Sequence, residues 1–197
     1  MAPSFSIKLR ETERGQLLRI ARQSIRNGLQ GGDVLEVALH ELSDALTSRL
    51  GVFVTLTQQD TLRGCIGAMQ SSEPLARSVA ESAYGAAFRD HRFPPLTTHE
   101  LALTSIEISV LSPMAPMSVE SRSELLSTLQ PEVDGLLLQD RHHRSTFLPK
   151  VWEQLPEPEA FLAHLLAKAG LPTDHWSTTL QFYRYSTVSF GEVTAAA

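Results

Sequence analysis

Hydrophobic positions along the chain recur at helical spacing first and at strand spacing later. From Lys8 to Leu29 the residues Leu17, Leu18, Ala21, Ile25 and Leu29 fall on one helical stripe, with arginines between them and Gly31-Gly32 behind, which predicts a surface helix with one buried side. The spacing continues through Leu35, Leu39, Leu42, Leu46 and Leu50 to Gly51, predicting a second helix that stops at the glycine. Val52–Thr57 is β-branched and aromatic, Gln58–Thr61 is polar, and Leu62–Gly67 returns as a partner, the pattern of a β-hairpin. Ser71 and Ser72 precede a predicted helix over Pro74–Phe88, ended by Asp90-His91-Arg92-Phe93-Pro94-Pro95.

The second half continues the mixture. In Leu101–Leu111, Ile106, Ile108 and Val110 alternate with Glu107 and Ser109, which predicts a long strand. Ser121–Leu129 reads as a short helix stopped near Pro131, and Gly135–Gln139 with Ser145–Leu148 as a second hairpin around the basic turn Asp140–Arg144. Pro158 opens a helix on Phe161, Leu162, Leu165, Leu166 and Ala169, with Gly170 and Pro172 beyond. A final strand runs over Leu180–Tyr185 and extends toward Phe190. Hairpins and helices without regular βαβ repetition predict an α+β fold. No repeat or Gly/Ser linker marks a boundary, so one domain over 1–197 is expected, with room for two unequal lobes around a cleft.

Composition narrows the function classes. Seventeen Lys and Arg against 22 Asp and Glu leave a net charge of −5, which gives no general attraction to nucleic acid or to anionic membranes. The amino terminus has no apolar core of signal-peptide length, and no stretch approaches the roughly 20 apolar residues of a membrane span. One cysteine, Cys65, excludes an intrachain disulfide and fits a reducing, cytoplasmic setting. That cysteine and scattered histidines make no recognisable zinc or iron shell, so no metal or cofactor is expected. His142 and His143 point to opposite sides of an extended chain, and His40 with Asp44 lacks a third ligand.

Candidate chemistry centres on Leu62-Arg63-Gly64-Cys65-Ile66-Gly67. Cys65 sits between glycines on a predicted strand, where a ligand can approach the backbone closely. Strict alternation puts Arg63, Cys65 and Gly67 on one face, and a guanidinium there would favour the reactive thiolate. The plainer alternative is a small, adaptable core residue, the commonest use of a free cysteine. Glu107, flanked by Ile106 and Ile108, is a candidate acid or base if partly buried, and otherwise a solvent-facing or arginine-paired carboxylate. Arg92 and Arg144 are candidate anion contacts, and Gly64 and Gly67 are candidate points of close approach.

The L-R-G-C-I-G segment, the block Ala86–Leu96, and Ile106–Pro113 together resemble the AMMECR family. Val133-Asp134-Gly135-Leu136, Thr146–Glu153, Lys168-Ala169-Gly170-Leu171-Pro172 and the closing Phe190-Gly191-Glu192 agree in the same order, so the resemblance spans about Leu17 to Glu192. It implies an α+β fold of two unequal lobes with a cleft near L-R-G-C-I-G, and an activity that is unsettled. Bacterial members bear the name AmmeMemoRadiSam system protein A, which implies a Memo-like protein and a radical S-adenosylmethionine protein as partners. One departure is His91, where the family pattern D-P-R-F has proline. Two readings follow: a cysteine-dependent enzyme of acyl transfer or hydrolysis using Cys65, Arg63 and Glu107, or a non-catalytic module that binds a small ligand or those partners.

Overall fold

A computed structural model describes residues 7–192. Its helices are α1 (Glu11–Leu29), α2 (Asp44–Thr47), α3 (Leu75–Phe88), α4 (Thr98–Leu101), α5 (Arg122–Thr128) and α6 (Pro158–Lys168). The strands are β1 (Val52–Gln58), β2 (Thr61–Ala68), β3 (Ser105–Leu111), β4 (Ala115–Met117), β5 (Gly135–Asp140), β6 (His143–Phe147), β7 (Gln181–Tyr185) and β8 (Thr187–Gly191). These form two four-stranded sheets, ordered β2-β1-β3-β8 and β4-β7-β5-β6. The fold is α+β, as the alternation of patterns predicts. Contacts divide the described residues into two compact units, one of 7–111 with 188–192 and one of 112–187.

In the first unit the apolar stripe of α1 (Leu17, Ala21, Ile25) and the inner side of α3 (Leu75, Val79, Ala83, Ala86) share a core with Val52, Val54, Leu56, Ile106 and Ile108. The strands therefore turn one face to the helices, while Phe53, Thr55 and Glu107 lie on the other and are only half-buried. Two polar knots, one on the buried Glu13 and one on the half-buried Glu192, fix the outer parts. Glu13 accepts from the Arg10 backbone N–H (2.8 Å), the Arg10 guanidinium (2.7 Å) and the Ser43 hydroxyl (2.7 Å). Glu192 accepts from the Arg22 guanidinium and from the Ile106 N–H at 3.1 Å, while Arg22 also donates to the carbonyls of Leu101 and Thr104 at 2.8 Å each. The closing Phe-Gly-Glu thus ties β8 to β3 and α1.

The structure corrects the helix expected through Leu35–Leu50. That stretch holds only a 3-10 turn at Leu39–Glu41 and the single turn α2, with extended backbone at Leu42, Ser43 and Ser48. The physical reason lies in competing hydrogen bonds. Ser43 engages Glu13, and the Ser48 carbonyl accepts from the Leu75 N–H at 2.8 Å, so tertiary partners replace helical ones. The expected serine cap of the next helix is also displaced, because the cap is Pro74 while Ser71 binds the Glu73 N–H and the Ser78 hydroxyl.

In the second unit, Trp152 stacks on Phe161 at 3.8 Å between ring centroids, and Phe147 meets Phe161 edge-on at 5.3 Å. Leu125, Leu136, Leu138, Leu162, Leu165 and Phe182 close this core. Asp140 begins the tight turn of the β5–β6 hairpin and accepts from His175 (2.7 Å), Ser177 (2.8 Å) and Thr179 (2.5 Å), pinning the loop before β7. These donors, Thr179 and His175 foremost, lower its pKa to about 2. The expected single terminal strand is two. Ser186 breaks it: its carbonyl accepts from the Ser112 N–H at 2.9 Å and its N–H donates to the Ser112 hydroxyl at 3.0 Å, with β7 in one sheet and β8 in the other.

Packing at the L-R-G-C-I-G glycines yields a prediction. A β-carbon on Gly64 would overlap the Ala86 carbonyl of α3, and one on Gly67 would overlap the Val52 carbonyl and the Phe53 backbone. Backbone cannot yield as a side chain does, so Gly64→Val and Gly67→Val should each cost about 3 kcal/mol, against about 1 kcal/mol for Cys65→Ser. Urea melts measure the three. A serine variant as damaged as the valine variants would contradict this ranking.

Candidate functional site

The β1–β2 turn is Gln59-Asp60, both with positive φ (48° and 60°), the backbone twist that suits a two-residue hairpin. Thr57 pairs with Leu62, yet Leu56 pairs with Gly64, so Arg63 is an extra residue on β2. Past this bulge the register sets Thr55 opposite Cys65, and on its other side Thr55 faces Glu107. Cys65, Thr55 and Glu107 thus form one row across three strands, on the sheet face turned away from α1 and α3. The Thr55 hydroxyl lies 3.4 Å from the Cys65 sulfur.

Arg63 does not serve the thiol as strict alternation predicts. At the bulge its guanidinium donates to Glu100 (Nε to Oε1 2.8 Å, Nη2 to Oε2 3.3 Å) and to the Pro94 carbonyl (2.9 Å), while Nη1 is buried without a partner among the described residues. The bulge is the cause: one extra residue breaks the period of two between Arg63 and Cys65. Glu100 also accepts from the Thr97 N–H (2.8 Å) and hydroxyl (2.9 Å), and Arg63 foremost holds its pKa down to about 2. The Arg63–Glu100 pair is a strut between β2 and α4.

The cation beside Cys65 is Arg92. β2 is the edge strand of its sheet, so the outward N–H and C=O of Cys65 need partners from elsewhere. The segment after α3 supplies both: Asp90 Oδ2 accepts from the Cys65 N–H at 2.9 Å, and Arg92 Nη2 donates to the Cys65 carbonyl at 3.2 Å. Arg92 also grips Asp90 with Nε to Oδ1 at 2.9 Å and Nη2 to Oδ2 at 2.6 Å. The Arg92 bonds, with the Cys65 N–H, hold Asp90 well below the usual carboxylate range. Arg92 is raised in turn, mainly by its hydrogen bonds to Asp90.

The remaining candidates are distributed. Gly64 and Gly67 meet backbone and the Phe53 ring, so both serve close packing. Arg144 lies exposed on β6 of the second unit, opposite Gln139. Thr55, Asp90 and Glu100 escaped the sequence reading. Asp90-x-Arg92 and the Thr97-x-x-Glu100 capping pattern were the available signals, whereas Thr55 needed the register. Among the described residues no group of three His, Cys, Asp or Glu side chains is placed to hold a metal, and no helix is long and apolar enough to cross a membrane. Two surface cavities of the first unit, of about 770 and 590 Å³, are lined by none of Arg63, Cys65, Arg92 or Glu107.

Comparison with known proteins bears on the family and the fold. The family model described as AMMECR1 matches residues 18–190. A protein of Methanothermobacter thermautotrophicus is 38% identical over 178 residues, covering 89% of this chain and 92% of the relative. One from Methanocaldococcus jannaschii is 35% identical, over 89% and 88% of the two chains. The crystal structure of an uncharacterised protein from Pyrococcus horikoshii superposes with a TM-score of 0.77 at 31% identity, covering 89% of each chain.

The Arg63–Glu100 strut gives a test with a pH signature. Glu100→Gln leaves a buried guanidinium without its counter-charge and should cost about 3 kcal/mol, whereas Arg63→Met with Glu100→Gln should recover part of that loss. Because the folded-state pKa of Glu100 is depressed to about 2, its contribution is complete above the ordinary glutamate value of about 4.3 and is lost as pH falls through about 2. Urea midpoints of parent and Glu100→Gln should therefore converge in acid. A gap that stays constant down to that pH would refute the strut.

Proposed function

We propose, for a chain that belongs to the AMMECR1 family, that it is a binding module whose recognition surface is the Cys65–Thr55–Glu107 row with Arg92 at its edge. One observation carries this reading. The nearby cations are already matched to carboxylates, Arg63 to Glu100 and Arg92 to Asp90, which limits the positive field left to sustain a thiolate. What remains is a polar, half-buried face with hydroxyl, thiol and carboxylate groups in register, suited to hydrogen-bonding a small ligand. Redox or radical steps would then belong to the Memo-like and radical S-adenosylmethionine companions, to which this module presents its ligand.

The second reading is a cysteine nucleophile, favoured by the Thr55 hydroxyl at 3.4 Å from the sulfur and by the Arg92 guanidinium held on the Cys65 carbonyl at 3.2 Å. Acyl transfer would need the thiol proton to leave through a neighbouring acceptor before sulfur attacks a carbonyl. Glu107, across Thr55 in the row, is the candidate acceptor.

Two measurements separate the readings. A fragment screen by NMR should yield ligands that shift the amides of Thr55, Cys65 and Glu107, that still bind Cys65→Ser, and that lose affinity about tenfold in Thr55→Val, the effect of one hydrogen bond. With p-nitrophenyl acetate the protein should release no burst of nitrophenol beyond that of Cys65→Ser. A stoichiometric burst with an acetyl group on Cys65, absent in Cys65→Ser and slowed in Glu107→Gln, would overturn the binding reading in favour of the nucleophile.

A further inference from the structure

The larger cavity of the first unit, about 770 Å³, has the volume of a small-molecule site and is separate from the Cys65 row. Its apolar side is Val34, Leu35, Val37 and Val52, with Ala68 at the end of β2. Buried hydrogen bonds hold this side in place: the Ser24 hydroxyl donates to the Ala80 carbonyl at 2.8 Å and accepts from the Leu35 N–H at 3.3 Å. The segment carrying Val34 and Leu35 is thereby fastened between α1 and α3.

The polar side is α3. Ser78 and Ser82 stand one turn apart on it, and both line the cavity. Ser78 is satisfied by Ser71 at 2.8 Å. Ser82 is only 7% exposed and makes no hydrogen bond among the described residues. A helical serine ordinarily bonds back to the preceding turn or to water. The Ser82 hydroxyl is not among the buried side-chain atoms left without a partner, so it is reachable from the cavity it lines, and a bound molecule can take the place of water as its partner.

Charge selects the class of that molecule. Glu36, Glu73 and Glu81 line the cavity against a single Arg77. Arg77 is matched to Glu73 at 3.6 Å and Glu81 to Arg89 at 2.7 Å, while Glu36 has no ion pair among the described residues. The surplus is negative, and an anion would meet repulsion there. We infer that this cavity binds a small organic amine, its hydrocarbon body against Val34, Leu35, Val37 and Val52, its ammonium hydrogen-bonded to the Ser82 hydroxyl within the field of Glu36. This inference stands apart from the Cys65 reading and survives its failure.

Three probes of one shape test it: phenethylamine, 2-phenylethanol and 3-phenylpropionate, titrated into the full chain and followed by amide NMR. Phenethylamine should saturate, shift the amides of Leu35, Ser78 and Ser82, and bind at least about tenfold more tightly than the carboxylate. Ser82→Ala should weaken the amine about tenfold while leaving the melting temperature unchanged or slightly raised, since the hydroxyl makes no hydrogen bond among the described residues. Glu36→Gln should weaken the amine and leave the alcohol unaffected. Absence of saturable amine binding, equal or tighter binding of the carboxylate, or amine affinity indifferent to Ser82→Ala would each overturn the proposal. A large loss of stability in Ser82→Ala would do so too, because the hydroxyl would then be a structural one.

Discussion

One extra residue, Arg63, sets the chemistry of the first unit. Were Arg63 paired in unbroken register from the Gln59-Asp60 turn, Thr55 would face Gly64. With Arg63 bulged out, Thr55 faces Cys65. A one-residue slip in a strand moves each side chain to the opposite face, so the bulge decides that Cys65 joins Thr55 and Glu107 while Gly64 lies against α3. The missing β-carbon of Gly64 then permits the Ala86 carbonyl to approach, which locks the register against the helix. Bulge and glycine act together: either alone would leave the thiol's side of the strand undecided.

Charged residues in this unit are arranged chiefly for construction. Arg63 braces β2 to α4 through Glu100, Arg22 braces α1 to β3 and β8 through Glu192, and Asp90 with Arg92 closes the exposed edge at Cys65. Edge strands invite pairing with other chains, and a charged segment that occupies their backbone groups suppresses it. The backbone of Cys65 is therefore held by an arginine whose first duty is structural. That arrangement explains how a motif rich in arginine, glycine and cysteine can look reactive in one dimension and yet have its charges matched in three.

The two candidate binding regions of this unit differ in kind. The Cys65 row is a polar stripe on a sheet face, assembled by cross-strand register from residues far apart in sequence. The cavity beside α3 is a concave, partly apolar space with the Ser78 and Ser82 hydroxyls on its polar side. Second-unit elements show the same use of buried polar groups for positioning, with Asp140 gathering His175, Ser177 and Thr179 at one carboxylate.

Local patterns were enough for the long helices α1, α3 and α6, for both hairpins and for the alternating part of the Leu101–Leu111 stretch, which is β3 from Ser105 on while Leu101 closes α4, because each has a strong hydrophobic period. Ordered motifs from the L-R-G-C-I-G segment to Phe190-Gly191-Glu192 likewise identified the family by residue identity alone. The Leu35–Leu50 stretch misled because its leucines keep helical spacing while Ser43 and Ser48 bond to Glu13 and Leu75, partners visible only once the chain is folded. The split of β7 from β8 depended in the same way on Ser112. Cys65, Glu107 and Arg92 could be singled out as residue types, but the bulge placed Thr55 between the first two and gave Arg63 to Glu100, while Arg92 went to the Cys65 carbonyl. Periodicity reports which neighbours a residue has along the chain, whereas register, edge capping and charge pairing depend on contacts between segments tens of residues apart.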